Sequence, residues 1–229
     1  MTFPSLTCFS LAAAAALSGA ALQGKVELLD AKKKGSAEGV VVWLEPVNGP
    51  AATTPGKVVL DQRNKRFLPH ILAVPVGSQV DFPNHDPIFH NAFSNFSGQP
   101  FDTGLYAPGT SQKITFRRAG IVRVFCNIHA QMSAVIVVVP SPYFATSVAS
   151  GVFRIDNVPP GEYTLKVFHE RATEKTLATL ERRVTVSADQ DLGAVRISET
   201  GYLEVGHKNK HGADYPPVPA ENGPYPGKK

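Results

Sequence analysis

Only two cysteines, Cys8 and Cys126, occur in the 229 residues, with two methionines and one tryptophan. So few thiols exclude a disulfide-stapled scaffold and any zinc or iron–sulfur site built from several thiolates. Charge is scarce as well: Asp, Glu, Lys and Arg make up 18% of the chain, against about a quarter in ordinary globular proteins. The formal net charge is +4, and no dense Lys/Arg block interleaved with aromatics occurs, which argues against nucleic-acid binding. Long apolar runs are missing too. The stretch Ala134 to Pro140 is strand-sized, far short of a membrane span.

What is present points to a folded, turn-rich chain. Hydrophobic residues are 43%, close to the globular norm, and Gly and Pro number 19 each. That balance favours many short strands over long helices. The length exceeds the usual domain of about 100–150 residues, so one large or two smaller domains are expected.

The first residues are free of side-chain charge until Lys25. An apolar stretch runs from Phe9 to Leu17 and small residues follow, so residues 1–21 read as a signal peptide, with cleavage after Ala20 or Ala21. The reading implies export to the periplasm and no membrane insertion after removal of the signal. It also leaves Cys126 as the sole thiol of the exported chain. An unpaired thiol in an oxidising compartment is expected to be deeply buried or held by a metal.

Alternating and apolar runs bounded by turns predict strands at Gly24 to Asp30, Gly39 to Pro46, Ile71 to Val76, Ser78 to Phe82, Gln112 to Arg117, Ile121 to Cys126 and Ser133 to Val139. In the Ile121 run, Val122, Val124 and Cys126 share one face, and Arg123 and Phe125 the other. Ser133 to Val139 is almost continuously apolar, as a central strand buried on both faces would be. A boundary is expected at Pro140-Ser141-Pro142. Beyond it, Gly151 to His169 reads as strand, Pro-Gly turn and strand. Arg171 to Leu180 reads as a loop or short helix, and Arg182 to Val186 and Leu192 to Ile197 as two more strands. The segment from Gly206 to Lys229 is rich in Pro, Gly and Lys with little to bury and reads as a flexible tail.

The segment that carries chemistry is Val124-Phe-Cys126-Asn-Ile-His129-Ala-Gln-Met132. It sets Cys, His and Met at Cys-x-x-His-x-x-Met spacing in a tight loop between two strands. Met132 is the only methionine besides the initiator. Upstream, Phe82-Pro-Asn-His85-Asp-Pro-Ile-Phe-His90-Asn91 offers a further imidazole. One thiolate, two imidazoles and a thioether form a soft-to-borderline donor set that suits copper, with two His and one Cys in a plane and a weak axial Met. Zinc more often recruits further thiolates or a carboxylate. Taken singly, a strand-end Cys and a Met are ordinary packing residues; their meeting around His129 favours a metal. His85 and His90, five apart, point to opposite faces of an extended segment, so one ion is not expected to take both.

The stretch from about Gly39 to Val139 resembles the cupredoxins, in particular bacterial plastocyanin-like proteins often labelled methylamine-utilisation proteins. The resemblance is carried by Val74-Pro-Val-Gly77-Ser-Gln-Val80-Asp-Phe-Pro-Asn84, His90-Asn91, Gly120 with Val122, and Phe125-Cys126-Asn-Ile-His129-Ala-Gln-Met132. The loop spacing is similar to amicyanin's short loop. In that family the first histidine is followed directly by Asn, a pattern met at His90-Asn91. The resemblance therefore implies His90, Cys126, His129 and Met132 as ligands of one type 1 copper ion. It implies Asn91 beside them, its N–H groups tying the histidine loop to the cysteine loop and the sulfur.

The segment Gly151-Val-Phe-Arg-Ile-Asp-Asn-Val-Pro-Pro-Gly-Glu-Tyr163 resembles carboxypeptidase-regulatory-like, or transthyretin-like, β-sandwiches. The implied architecture is all-β, a cupredoxin Greek-key β-sandwich over 22–140 followed by a smaller transthyretin-like sandwich over 146–200 and a tail over 206–229. The implied function is periplasmic electron transfer by a blue copper protein, with no catalysis of its own. An unidentified redox protein would dock near His129 on an apolar patch including Pro87, Ile88 and Ala130. The second sandwich would offer protein or glycan contact. The competing reading is copper binding and delivery without redox shuttling. A copper oxidase or reductase is disfavoured by the absence of a His-x-His motif. His70 is expected to be structural or exposed, His169 packed or hydrogen-bonded, and His207 and His211 in a solvated tail. Asp81, Asp86 and Asp102 show no acid/base pattern.

Overall fold

The computed structural model describes residues 19–29, 36–95, 99–204 and 206–216. Residues 1–18 of the expected signal peptide lie outside the described residues, and Ala20 and Ala21 open the first strand. No helix among the described residues is long and apolar enough to cross a membrane.

The chain is nearly all β. The strands are β1 (Ala20–Leu28), β2 (Val41–Pro46), β3 (Lys57–Val59), β4 (Asp61–Arg63), β5 (Arg66–Leu68), β6 (Ile71–Pro75), β7 (Gln79–Pro83), β8 (Phe93–Ser94) and β9 (Phe101–Asp102). They continue with β10 (Ser111–Thr115), β11 (Gly120–Phe125), β12 (Ser133–Val139), β13 (Phe144–Thr146), β14 (Val152–Val158), β15 (Gly161–Phe168), β16 (Arg182–Val186) and β17 (Gln190–Ile197). The segment Arg171 to Leu180 contains one short helix, α1 (Glu174–Thr179), whose first turn is capped by the Thr173 hydroxyl accepting from the Thr176 N–H at 3.1 Å.

Two sheets, β10-β7-β3 and β6-β12-β11-β8-β9, share one core containing Phe82, Phe116, Val122, Val124 and Ile136. Two more sheets, β14-β1-β17 and β13-β2-β15-β16, share a second core containing Leu22, Val42, Ile155, Leu165 and Ile197. The inner sheets of the two pairs meet through a third cluster, with Val41 and Phe168 against Val135, Val137 and Val139. β12 explains itself in this stack. Ala134, Ile136 and Val138 enter one core, while Val135, Val137 and Val139 face the other pair of sheets. A strand covered on both faces has no use for polar alternation, which is why its sequence is continuously apolar.

The pairings cross the division expected near residue 140. β1 lies antiparallel to β14 and parallel to β17, and β2 lies between β13 and β15. Both strands were expected in the unit 22–140, yet all their partners follow residue 140. Period-2 patterning tells which face of a strand is buried and not which strand lies beside it. Gly151 fixes one of these contacts. Its φ is +82° and a Cβ there would sit 2.4 Å from the Val26 carbonyl oxygen, so only glycine fits where β14 meets β1.

The expected flexible tail is also revised for residues 206–216. They pack against the loop between β11 and β12 through His207, Lys210 and Tyr215. Residues 217–229 lie outside the described residues.

Candidate metal centre

β11 and β12 are paired from Gly120↔Val138 to Phe125↔Ser133, so Cys126 and Met132 face each other at the mouth of the hairpin. The Cys126 N–H donates to the Met132 carbonyl at 3.0 Å, and the Met132 N–H donates to the His129 carbonyl at 3.0 Å. These bonds close a tight loop that carries His129 at its tip. Cys126 continues the Val122–Val124 face into the core, as the alternation predicts. Met132 is fully buried in the same core.

His90 reaches this point from the loop between β7 and β8. Its backbone bridges to Tyr106, with the Tyr106 N–H donating to the His90 carbonyl at 2.9 Å. His90 is fully buried. Its Nδ1 lies 3.7 Å from Cys126 Sγ, and His129 Nδ1 lies 3.6 Å from the same sulfur. All three ligand atoms fall within 4.8 Å of one another. Bonds of about 2.3 Å to sulfur and 2.0–2.1 Å to nitrogen put the two atoms about 3.6–3.8 Å apart at tetrahedral to trigonal angles. The donor spacing therefore suits one first-row metal ion bound by all three.

The imidazoles are held in the form a metal needs. Burial pushes the His90 ring below the usual histidine range, against the opposing pull of Asp86. Burial, then the neighbouring His90, lowers His129 to about 4. Both rings are neutral at pH 7, with a lone pair to offer. His90 Nε2 donates to Asp86 Oδ2 at 2.8 Å, which fixes the proton on Nε2 and leaves Nδ1 open toward Cys126.

Asp86 is the residue that the sequence reading missed, having set it among scattered carboxylates. It is buried, and besides His90 it accepts the N–H groups of Asn64 at 2.6 Å and Lys65 at 2.8 Å. Asn64 and Lys65 have φ of +57° and +55° and form the turn between β4 and β5. Neither is glycine, so the turn carries a conformational cost that the carboxylate offsets. The one available signal is the Asn84-His85-Asp86-Pro87 turn chemistry; the Asp86 N–H indeed donates to Asn84 Oδ1 at 3.0 Å.

Asn91 connects the loop that carries His90 to the loop that carries Cys126 and His129, and it does so through its oxygen. Asn91 Oδ1 accepts the Asn127 N–H at 2.7 Å, while its Nδ2 donates to Asp102 Oδ1 at 3.3 Å. The expected N–H tie to the cysteine loop is thus replaced by an acceptor. His85 points away from the cluster and contacts Asp61 Oδ1 at 2.5 Å, its side chain 48% exposed. His70, half exposed, pairs with Glu170 at 2.6 Å, and buried His169 pairs with Glu199 at 2.9 Å. Of the three residues named for a docking patch, Pro87 is exposed, and Ile88 and Ala130 are half-buried. Phe89 and Ile128, on the same two loops, are 53% and 44% exposed.

His207 and Tyr215 were also missed. The His207 ring stacks on Phe125 with centroids 3.9 Å apart, and its Nε2 donates to the Ala130 carbonyl at 2.7 Å. The Tyr215 hydroxyl donates to the Cys126 carbonyl at 2.7 Å. Burial raises that hydroxyl to about 12, so it remains a donor at neutral pH.

No family model matches the chain, and no curated protein does. Among solved structures, it is similar to a purple cupredoxin from Nitrosopumilus maritimus at 22% identity and a TM-score of 0.33, over 37% of this chain and 99% of that one. A mutant of amicyanin in its reduced Cu(I) form is matched at 22% identity and a TM-score of 0.35, over 43% of this chain and 98% of that one. A copper-containing nitrite reductase from Thermus scotoductus SA-01 is matched at 24% identity and a TM-score of 0.36, over 50% of this chain and 28% of that one.

Proposed function

We propose that this chain is a periplasmic type 1 copper protein that transfers electrons. The observation that carries the reading is the convergence of His90 Nδ1, Cys126 Sγ and His129 Nδ1 within 4.8 Å. Copper bound there would supply one-electron chemistry between Cu(I) and Cu(II). His90, Cys126 and His129 would hold the ion, with Met132 as the further ligand that the family resemblance implies.

The rest of the work falls to the chain. Asp86 orients His90, Asn91 joins the two ligand loops, and the core behind Cys126 excludes water from the sulfur. Ligand side chains held this way would need little rearrangement when bound copper changed oxidation state. Pro87, Ile88 and Ala130 are the proposed docking patch for a redox protein, and no residue is assigned a catalytic role. We read the segment between β2 and β13 as the cupredoxin unit, set within a second, transthyretin-like pair of sheets that offers protein or glycan contact.

Cu(II) addition tests the reading. An intense visible band from the thiolate, lost in Cys126→Ser, is the expected outcome. A chain that takes Cu(I) alone and has no reversible couple would instead be a copper-delivery module.

A further inference from the structure

We propose that the C-terminal segment around 207–215 is a clamp on the metal-binding loop, with His207 and Tyr215 as positioning residues for Cys126 and His129. The inference rests on the metal-site reading of that loop.

The loop spans only Cys126 to Met132, and its internal backbone hydrogen bonds are the two that close its base. Its outer carbonyls are held from elsewhere. Cys126 O accepts from the Tyr215 hydroxyl at 2.7 Å, and Ala130 O accepts from His207 Nε2 at 2.7 Å. These two carbonyls belong to one proposed ligand and to the neighbour of another. The His207 ring lies nearly parallel to Phe125, at 23°, against the residue that leads into Cys126. The His207 and Tyr215 rings meet edge to face with centroids 5.1 Å apart, so the two anchors brace each other.

Lys210 adds a third point. Its N–H donates to Asn127 Oδ1 at 3.0 Å, and its Nζ donates to Asp102 Oδ2 at 2.7 Å. Asp102 Oδ1 in turn accepts from Asn91 Nδ2, the neighbour of His90. One segment therefore engages the cysteine loop directly and the histidine loop through Asp102. A chain this poor in apolar residues cannot hold its place by burial. It holds by a few directed contacts: those to Cys126, Asn127 and Ala130 fall on the loop that carries Cys126 and His129, and Lys210 also meets Asp102 and Asn95. Tight outer support of this kind sets how firmly ligands keep their geometry.

The test compares the full chain with Tyr215→Phe, His207→Ala and the double variant, plus His207→Gln, whose amide can still donate to Ala130. In the metal-free proteins, amide hydrogen exchange of Cys126 and Met132 is expected to rise about tenfold in the double variant, while Ile136 and Val138 of β12 stay unchanged. His207→Gln is expected to recover part of the protection. With Cu(II) added, the double variant is expected to bind about tenfold more weakly and to shift its visible band. Unchanged exchange at Cys126 and Met132 in the double variant would overturn the clamp, whatever the metal does. Exchange that rises as expected in a chain whose wild type binds no Cu(II) would uphold the clamp and overturn the copper reading.

Discussion

Asp86→Asn is the most informative single change near the site, because it keeps shape and removes only charge and acceptor capacity. Asp86 Oδ1 accepts the Asn64 N–H, and Oδ2 accepts both the Lys65 N–H and His90 Nε2–H. An asparagine there keeps one oxygen, which in the Oδ2 place still serves Lys65 and His90 and in the Oδ1 place serves only Asn64. Its NH2 group must face the remaining donors, or the His90 ring must change tautomer. If the ring changes, the Asn amide donates to Nε2 and the proton moves to Nδ1, the atom that faces Cys126 at 3.7 Å. The ring then presents a donor where a ligand lone pair is required.

Each hydrogen bond to a charged group contributes about 1.5–3 kcal/mol, and a new bond to the ring offsets part of the loss. The net cost to the metal-free fold is therefore about 2–4 kcal/mol. Metal affinity is expected to fall by about 10–100-fold, the usual effect of removing a partner behind a histidine ligand. Urea unfolding of the metal-free chain reads the first quantity, and competitive titration with a chelator reads the second. A variant within about 0.5 kcal/mol of wild type, with unchanged affinity, would refute the role assigned to Asp86.

Three further outcomes follow from the same geometry. Gly151→Ala forces a Cβ onto the Val26 carbonyl at 2.4 Å in a left-handed backbone, and is expected to cost at least about 2 kcal/mol in urea unfolding; a neutral result would mean that β1 does not pack on β14. The folded-state values of His90 and His129 lie below the ordinary 6.5, His129 at about 4. The unfolded chain therefore takes up protons at these two rings first, so the stability linked to His90 and His129 should be fully present above pH 6.5 and be lost as the pH falls toward 4. His129→Ala should flatten the pH dependence of the urea midpoint across that window, and an unaltered slope would contradict burial of the ring. Asn91→Ala removes the acceptor of the Asn127 N–H at 2.7 Å and should cost about 1–3 kcal/mol, read by the same unfolding; a change below about 0.5 kcal/mol would mean that the tie does not hold the loop.

Much of the half that carries the site was legible in the sequence. The Val122–Val124–Cys126 face, the doubly buried β12 and the Cys-x-x-His-x-x-Met loop all arise from local spacing, which period-2 geometry translates directly into side-chain direction. His90 was separable from His85 only through the resemblance at His90-Asn91; the chain bends at residues 86–88, and His85 goes to Asp61. What local spacing does not carry is pairing over long distances. β1 alternates correctly, but its partners β14 and β17 lie more than a hundred residues away. The clamp escaped for a different reason. A segment rich in Pro, Gly and Lys lacks the apolar area that marks a packed element, and its described hold on the loop comes through His207, Lys210 and Tyr215. Asp86 escaped because a carboxylate's worth depends on which N–H groups surround it, and two of its three donors come from a turn more than twenty residues upstream.

The central claim is that His90, Cys126 and His129 hold copper as a redox site. Its most direct test is the visible absorption and EPR spectrum of the purified chain after Cu(II) addition. A strong blue thiolate band with narrow copper hyperfine splitting is the predicted result. A colourless protein, or the ordinary spectrum of tetragonal Cu(II), would contradict it.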